Sequence, residues 1–274
     1  MSRRHRRRSS SGEGWKFALG AVLALAALAA LGGIFWLNAT TERPPVLNAK
    51  TLCPVDGPRA VTVVLLDSSD DLPDAGRRQV TTALFDLADA LPIYGLLELR
   101  VLDPADPAGR VLFSRCNPGT GAGLTEWTAN PAAARKRWLA DFREPLGGVL
   151  GSGLTNRPAD TSPIMAAIQR IAVDHFEGRA VANIEKQLVI VSDMIENTPD
   201  YSQYGGDVSF AHYQGSTAAK KLRTDLHGAA VTVYYVQRLG AARIDSGAHI
   251  RFWQDWVAGN HGTLAEAVKL QGAG

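Results

Sequence analysis

Twenty-one consecutive residues, Phe17 to Leu37, carry no charge. At ~1.5 Å of rise per residue, a helix of that length spans ~30 Å, the thickness of a bilayer's hydrocarbon core. Trp15 and Trp36 stand near its two ends, where indoles favour the headgroup zone. The run reads as a transmembrane helix over 17–37. Arg3, Arg4, Arg6, Arg7, Arg8 and Lys16 precede it, whereas only Arg43 and Lys50 follow closely. That asymmetry predicts a cytoplasmic basic tail over 1–16 and an exported body, periplasmic or extracellular. A cleaved signal peptide competes, because Leu37-Asn38-Ala39 loosely imitates a cleavage site. The run is longer than the roughly 7–15 apolar residues of a signal peptide, which favours an uncleaved anchor.

The same arginines reinterpret the charge. The 274-residue chain has a net charge of +2, which on its own leaves nucleic acid or an anionic surface open as a partner. Residues 1–16 hold six cations against Glu13, a net +5, and the remaining 23 Lys and Arg face 26 Asp and Glu, a net −3. Topology accounts for the basic tail, and the acidic body argues against nucleic acid.

After a Pro-bearing linker over 38–59, expected to be stiff and extended, the pattern over 60–274 becomes that of one α/β domain. Ala60 to Leu66 (AVTVVLL), Gln187 to Val191 (QLVIV) and Ala230 to Val236 are continuous apolar runs, as in strands buried on both faces. Between them Asp74 to Leu91, Pro131 to Phe142, Pro163 to Phe176 and Ser216 to His227 read as helices, with Ala248 to Val257 as a last one. Leu97 to Leu102 and Arg110 to Ser114 read as strands. Their seven-residue link, with Pro104 and Pro107, is too short for a crossover helix, so this pair should be antiparallel. The whole predicts a doubly wound, mostly parallel sheet with one antiparallel edge strand.

Ligands of such sheets bind outside the carboxyl ends of the strands. Asp67-Ser68-Ser69-Asp70-Asp71 follows the first buried run and Ser192-Asp193-Met194 the QLVIV strand, while Asp160-Thr161-Ser162-Pro163 opens a helix between them. Hydroxyl and carboxylate oxygens gathered at one edge suit a hard cation such as Mg²⁺ or Ca²⁺, and the absence of nearby Cys and His argues against zinc. The structural alternative for Asp67 is a strand-end cap.

These residues resemble the von Willebrand factor A (vWA) family and its metal-ion-dependent adhesion site. There the first strand ends in Asp-x-Ser-x-Ser, a Thr precedes a later helix and the fourth strand ends in Thr-Asp-Gly. The resemblance, covering about residues 60–260, implies metal ligands at Asp67, Ser69, Thr161 or Ser162, and Asp193. Asp71 stands where the family has its second Ser, and Met194 where it has Gly. The extra carboxylate makes the site more negative, and Met194 removes backbone freedom. A functional metal site and a metal-free, vWA-like interaction fold both remain open.

The loop from Glu196 to Gly215 carries Tyr201, Tyr204, Phe210 and Tyr213 and should rim the strand-end site, as a partner-binding loop or as a loop folded over its own aromatics. Cys53 and Cys116, the two cysteines, would meet an oxidising compartment after export. Both should lie at the sheet end opposite the metal site, where a disulfide would close a loop of ~60 residues. Gly119-Thr120-Gly121-Ala122-Gly123 lacks the last glycine of a dinucleotide fingerprint, and Gly151-Ser152-Gly153 is not a nucleophile elbow. The expectation is a non-enzymatic, membrane-anchored module that binds other proteins of the membrane or envelope. A metal-free scaffold subunit and a metal-dependent hydrolase are the alternatives.

Overall fold

The computed structural model describes residues 14–40, 44–67, 72–123, 130–153, 159–237 and 244–270. Two units separate at Pro45 and Val46. In the first, α1 (Gly14–Thr40) extends the apolar run at both ends and buries none of its side chains. It is long and apolar enough to cross a membrane.

The second unit is built on six strands: β1 (Ala60–Leu66), β2 (Leu96–Asp103), β3 (Asp106–Cys116), β4 (Glu185–Ser192), β5 (Ala230–Tyr235) and β6 (Thr263–Lys269). Their order is β3-β2-β1-β4-β5-β6, parallel throughout except for β3. This is the doubly wound sheet with one antiparallel edge that the sequence predicts. The link into β3 is tighter than expected: Asp103 pairs directly with Asp106, leaving a two-residue turn at Pro104 and Ala105. β6, which the sequence reading does not anticipate, forms the other edge. Its side chains are mostly half-buried or exposed, so no long apolar run announces it.

Alternate residues of β1 enter two cores. Val61, Val63 and Leu65 face α5 (Ile164–Ile171) and α8 (Ser246–Gly259). Val64 and Leu66 face α2 (Asp74–Ala90), α3 (Pro131–Trp138) and α4 (Glu144–Gly153). Burial on both sides explains the unbroken β-branched runs of β1, β4 and β5.

The predicted helix at 131–142 continues beyond its expected end, through a π turn at Leu139–Arg143 into α4. Pro145 has no N–H and its ring crowds the carbonyl four residues back, that of Asp141. The π turn gives that carbonyl room, and the Arg115 guanidinium donates to it. A second π turn, Ala172–Phe176, extends α5. It brings Asp174 and His175 onto Glu98 and Arg100 of β2. Arg100 Nη2 lies 2.6 Å from Glu98 Oε1, Arg100 Nη1 3.0 Å from Asp174 Oδ2, and His175 Nε2 2.9 Å from Glu98 Oε1.

Only the first part of the expected 216–227 helix forms, as α7 (Thr217–Lys221), after a short α6 (Phe210–Gln214). The chain between Leu47 and Arg59 is bonded into the body: Cys116 N donates to Thr51 O and Arg59 N to Tyr94 O. Cys53 and Cys116 form a disulfide beside the start of β2, at the end of the sheet away from Asp67.

Candidate functional site

Register brings the strand-end residues together. β1 and β4 run in parallel with Leu66 opposite Val191, so the next residues, Asp67 and Ser192, emerge side by side. Asp67 N continues the ladder to Val191 O, and Ser192 Oγ donates to Asp67 Oδ2 at 2.9 Å. Of the two helix-opening hydroxyls, Ser162 reaches the site, its Oγ donating to the same Asp67 Oδ2 at 3.1 Å. Ser162 is held by paired backbone bonds with Asn197, whose Nδ2 also donates to the Asp160 carbonyl. Thr161, half-buried, is the residue between. Asp193 is buried, with Oδ1 accepting from Ile195 N at 2.8 Å. Ser69 and Asp71 lie outside the described residues.

Met194 has φ of +62°, the left-handed conformation that glycine adopts freely. The expected backbone demand at this position is therefore met by a methionine. Its side chain is 1% exposed in the core, its N–H bonds Ser192 Oγ and its carbonyl accepts from Trp253 Nε1.

Behind the strand ends lies a polar layer that sequence reasoning missed. Glu196 is fully buried, with Oε2 accepting from Met165 N at the first turn of α5. Burial, with a smaller push from the Asp67 charge, raises its pKa to about 8 despite the helix N–H groups. Its backbone N–H donates to Gln203 Oε1, which also lies 3.1 Å from His249 Nε2, while His249 Nδ1 meets the Tyr235 hydroxyl at 3.0 Å. Burial pushes His249 down to about 4, so it is neutral. Glu196 and His249 are 53 residues apart in the sequence, and only the fold shows that they belong together.

The aromatic loop turns mostly inward. Tyr201 and Tyr213 are buried against Phe252, and Phe210 packs half-buried on Tyr213. Tyr204, 44% exposed, is the member of the four that faces solvent. Tyr201, Phe210 and Tyr213 fold over one another and Phe252, as the second reading of this loop expects.

The donor set suits a hard cation in part. Adjacent ligand oxygens around an octahedral Mg²⁺ at 2.0–2.1 Å stand about 3 Å apart, and the Ser162 and Asp67 oxygens have that spacing. Each hydroxyl needs only to turn its proton outward to offer a lone pair. Among the described residues, no three His, Cys, Asp or Glu side chains gather as a metal cluster. A cation here would be held by Asp67, Ser162 and Asp193, with Ser192 adjacent.

Sheet order and the antiparallel β3 define a doubly wound α/β domain, the fold that the resemblance to the vWA family implies. No family model and no curated protein matches the sequence. Solved structures similar to it include the SpRpn10 VWA domain, at 12% identity and a TM-score of 0.37 over 77% of this chain and 87% of that one. BatB from Bacteroides thetaiotaomicron is 12% identical, with a TM-score of 0.40 over 77% and 90%. Manganese-loaded TRAP from Plasmodium vivax is 13% identical, with a TM-score of 0.34 over 71% and 62%.

Proposed function

We propose that this chain is a non-enzymatic protein-binding module, anchored by α1 and presenting its vWA-like body on the exported side as part of an envelope-associated complex. The observation that carries the binding reading is the convergence of Ser162 Oγ and Ser192 Oγ on Asp67 Oδ2 at the strand ends. With Asp193 next in the chain after Ser192, these oxygens would offer a small acidic site that a divalent cation, Mg²⁺ or Ca²⁺, would make attractive to a carboxylate of a partner. The arginine-rich tail and the Cys53–Cys116 disulfide both support export, since disulfides persist in oxidising compartments.

A metal-free scaffold is the second reading. Asp67 already accepts two hydroxyl bonds and Asp193 Oδ1 a backbone N–H, so both carboxylates have internal partners. Thermal unfolding of the full-length chain in detergent separates the two. The metal reading expects Mg²⁺, Ca²⁺ or Mn²⁺ to raise the midpoint of the wild type but not of Asp67→Ala. An unchanged wild-type midpoint rejects it in favour of the scaffold. A reporter fused after residue 274 tests the topology, and activity confined to the cytoplasm would overturn export.

A further inference from the structure

Away from the strand ends, α6, α7 and the end of α8 border an open cavity of about 490 Å³. One wall is aromatic and firmly held. Phe210 stacks on Tyr213 with ring centroids 5.8 Å apart, both meet Phe252, and the Tyr213 hydroxyl accepts from Trp256 Nε1 at 3.0 Å. Lys220 and Arg223, both exposed, also line the cavity. Among the described residues, no Asp or Glu lines it.

The neighbouring charges show that these two cations are not part of the local ion pairing. Lys221, next in the chain, is gripped by both oxygens of Asp200 at 2.8 and 2.9 Å. Asp225 is turned to the His227 N–H and to His261. Among the described residues, neither Lys220 nor Arg223 makes an ion pair, while Gln169 fixes the Arg223 carbonyl at 2.7 Å. Gly259 also lines the cavity, and a methyl group there would make ordinary van der Waals contact with the Phe210 ring at 3.6 Å.

We propose that this cavity is a second protein-binding site, which takes a partner segment with an acidic side chain beside an aromatic or branched aliphatic one. The apolar side chain enters against Phe210 and Tyr213, and the carboxylate meets Lys220 and Arg223. The chemistry follows from the walls: apolar area supplies affinity, and the two cations select the anion. Small-molecule sites bury most of their ligand, whereas here the cations stand at an exposed rim, which fits an extended segment laid across the opening. The inference rests on the protein-binding reading in choosing a peptide as occupant, and the strand-end site has no part in it.

The test is fluorescence polarisation of labelled acetyl-Glu-Phe-Glu-Leu-amide with the full-length chain in detergent and EDTA. Saturable binding is expected, with a Kd between about 10 µM and 1 mM. It should weaken at least about tenfold when Lys220→Glu is combined with Arg223→Glu, and fall with added salt. Gly259→Leu, which fills the cavity without changing charge, should weaken it as much. Asp67→Ala should bind like the wild type. No saturation up to about 5 mM, or equal binding of the Gln-for-Glu peptide, would overturn the proposal, as would cavity variants that bind like the wild type. If 3-phenylpropanoate binds as tightly as the peptide, the site takes a small carboxylate and the peptide assignment is wrong. Loss of binding in Asp67→Ala alone would move the contact to the strand ends, sparing the protein-binding reading while removing this one.

Discussion

Trp253 Nε1 and the Met194 carbonyl lie 2.9 Å apart, a bond that holds a methionine in a left-handed backbone conformation directly behind the strand-end carboxylates. Ser192 Oγ bonds the N–H of the same residue while donating to Asp67, so one strained residue ties the indole of α8 to the candidate site. Strain of this kind persists where surrounding contacts enforce it.

Substitutions at Met194 should reveal that strain. A left-handed conformation costs an L-residue about 1–2 kcal/mol, which glycine avoids. Removing the buried side chain costs about 2–5 kcal/mol in either replacement. Met194→Gly should therefore be less stable than the wild type but more stable than Met194→Ala by about 1 kcal/mol, the reverse of the usual order. Urea unfolding of the full-length chain in detergent measures this. An alanine variant at least as stable as the glycine one would dismiss the strain.

Covalent closure at the far end of the sheet has a size set by its loop. Cys53 and Cys116 are 63 residues apart, for which the chain-entropy model gives about 4 kcal/mol. Cys53→Ser combined with Cys116→Ser should lower stability by that order, and dithiothreitol should do the same to the wild type. Maleimide labelling provides the check on the bond itself: the denatured wild type should react only after reduction.

What the sequence made legible follows from where the information is local. β1, β4 and β5 are buried on both faces, and each shows as an unbroken apolar run. The antiparallel β3 followed from the short link at Pro104, although the true turn is tighter. β6 stayed hidden because an edge strand needs no continuous apolar run, and its Leu264 to Lys269 register on β5 is set by tertiary packing. Asp67 and Asp193 could be located because strand ends follow apolar runs, and Ser162 because it stands just before a helix-opening proline. Glu196, Gln203 and His249 could not, since their common feature is burial against one another across 53 residues of chain.

The buried charges on β2 should behave as a unit. Removing one partner of a buried pair strands the other and costs about 3–5 kcal/mol, whereas replacing both by apolar residues is often close to neutral. Arg100 bridges Glu98 and Asp174, so Arg100→Met should be strongly destabilising. Adding Glu98→Leu should recover most of the loss, because Asp174 keeps Arg170 as a partner. A double-mutant cycle by urea unfolding reads the coupling, and additive effects would show that the network carries none.

The two buried titrating groups behind the strand ends push stability in opposite directions with pH. Folded Glu196 keeps its proton up to about 8, against an ordinary 4.5. Between those values the folded state binds more protons than the unfolded one, so stability that is complete below 4.5 drains away as pH rises to 8. His249 titrates at about 4 when folded, against an ordinary 6.5, so its contribution is complete above 6.5 and is lost as pH falls to 4. Each group alone changes stability by up to about 1.4 kcal/mol per pH unit inside its window. Their slopes oppose one another between 4.5 and 6.5, which places maximum stability there and leaves Glu196 to govern the alkaline side. Glu196→Gln keeps an acceptor for Met165 N and cannot ionise. In EDTA its unfolding midpoint should stay level from pH 6.5 to 8 while that of the wild type falls, and parallel curves for the two proteins would mean that Glu196 is already ionised at neutral pH.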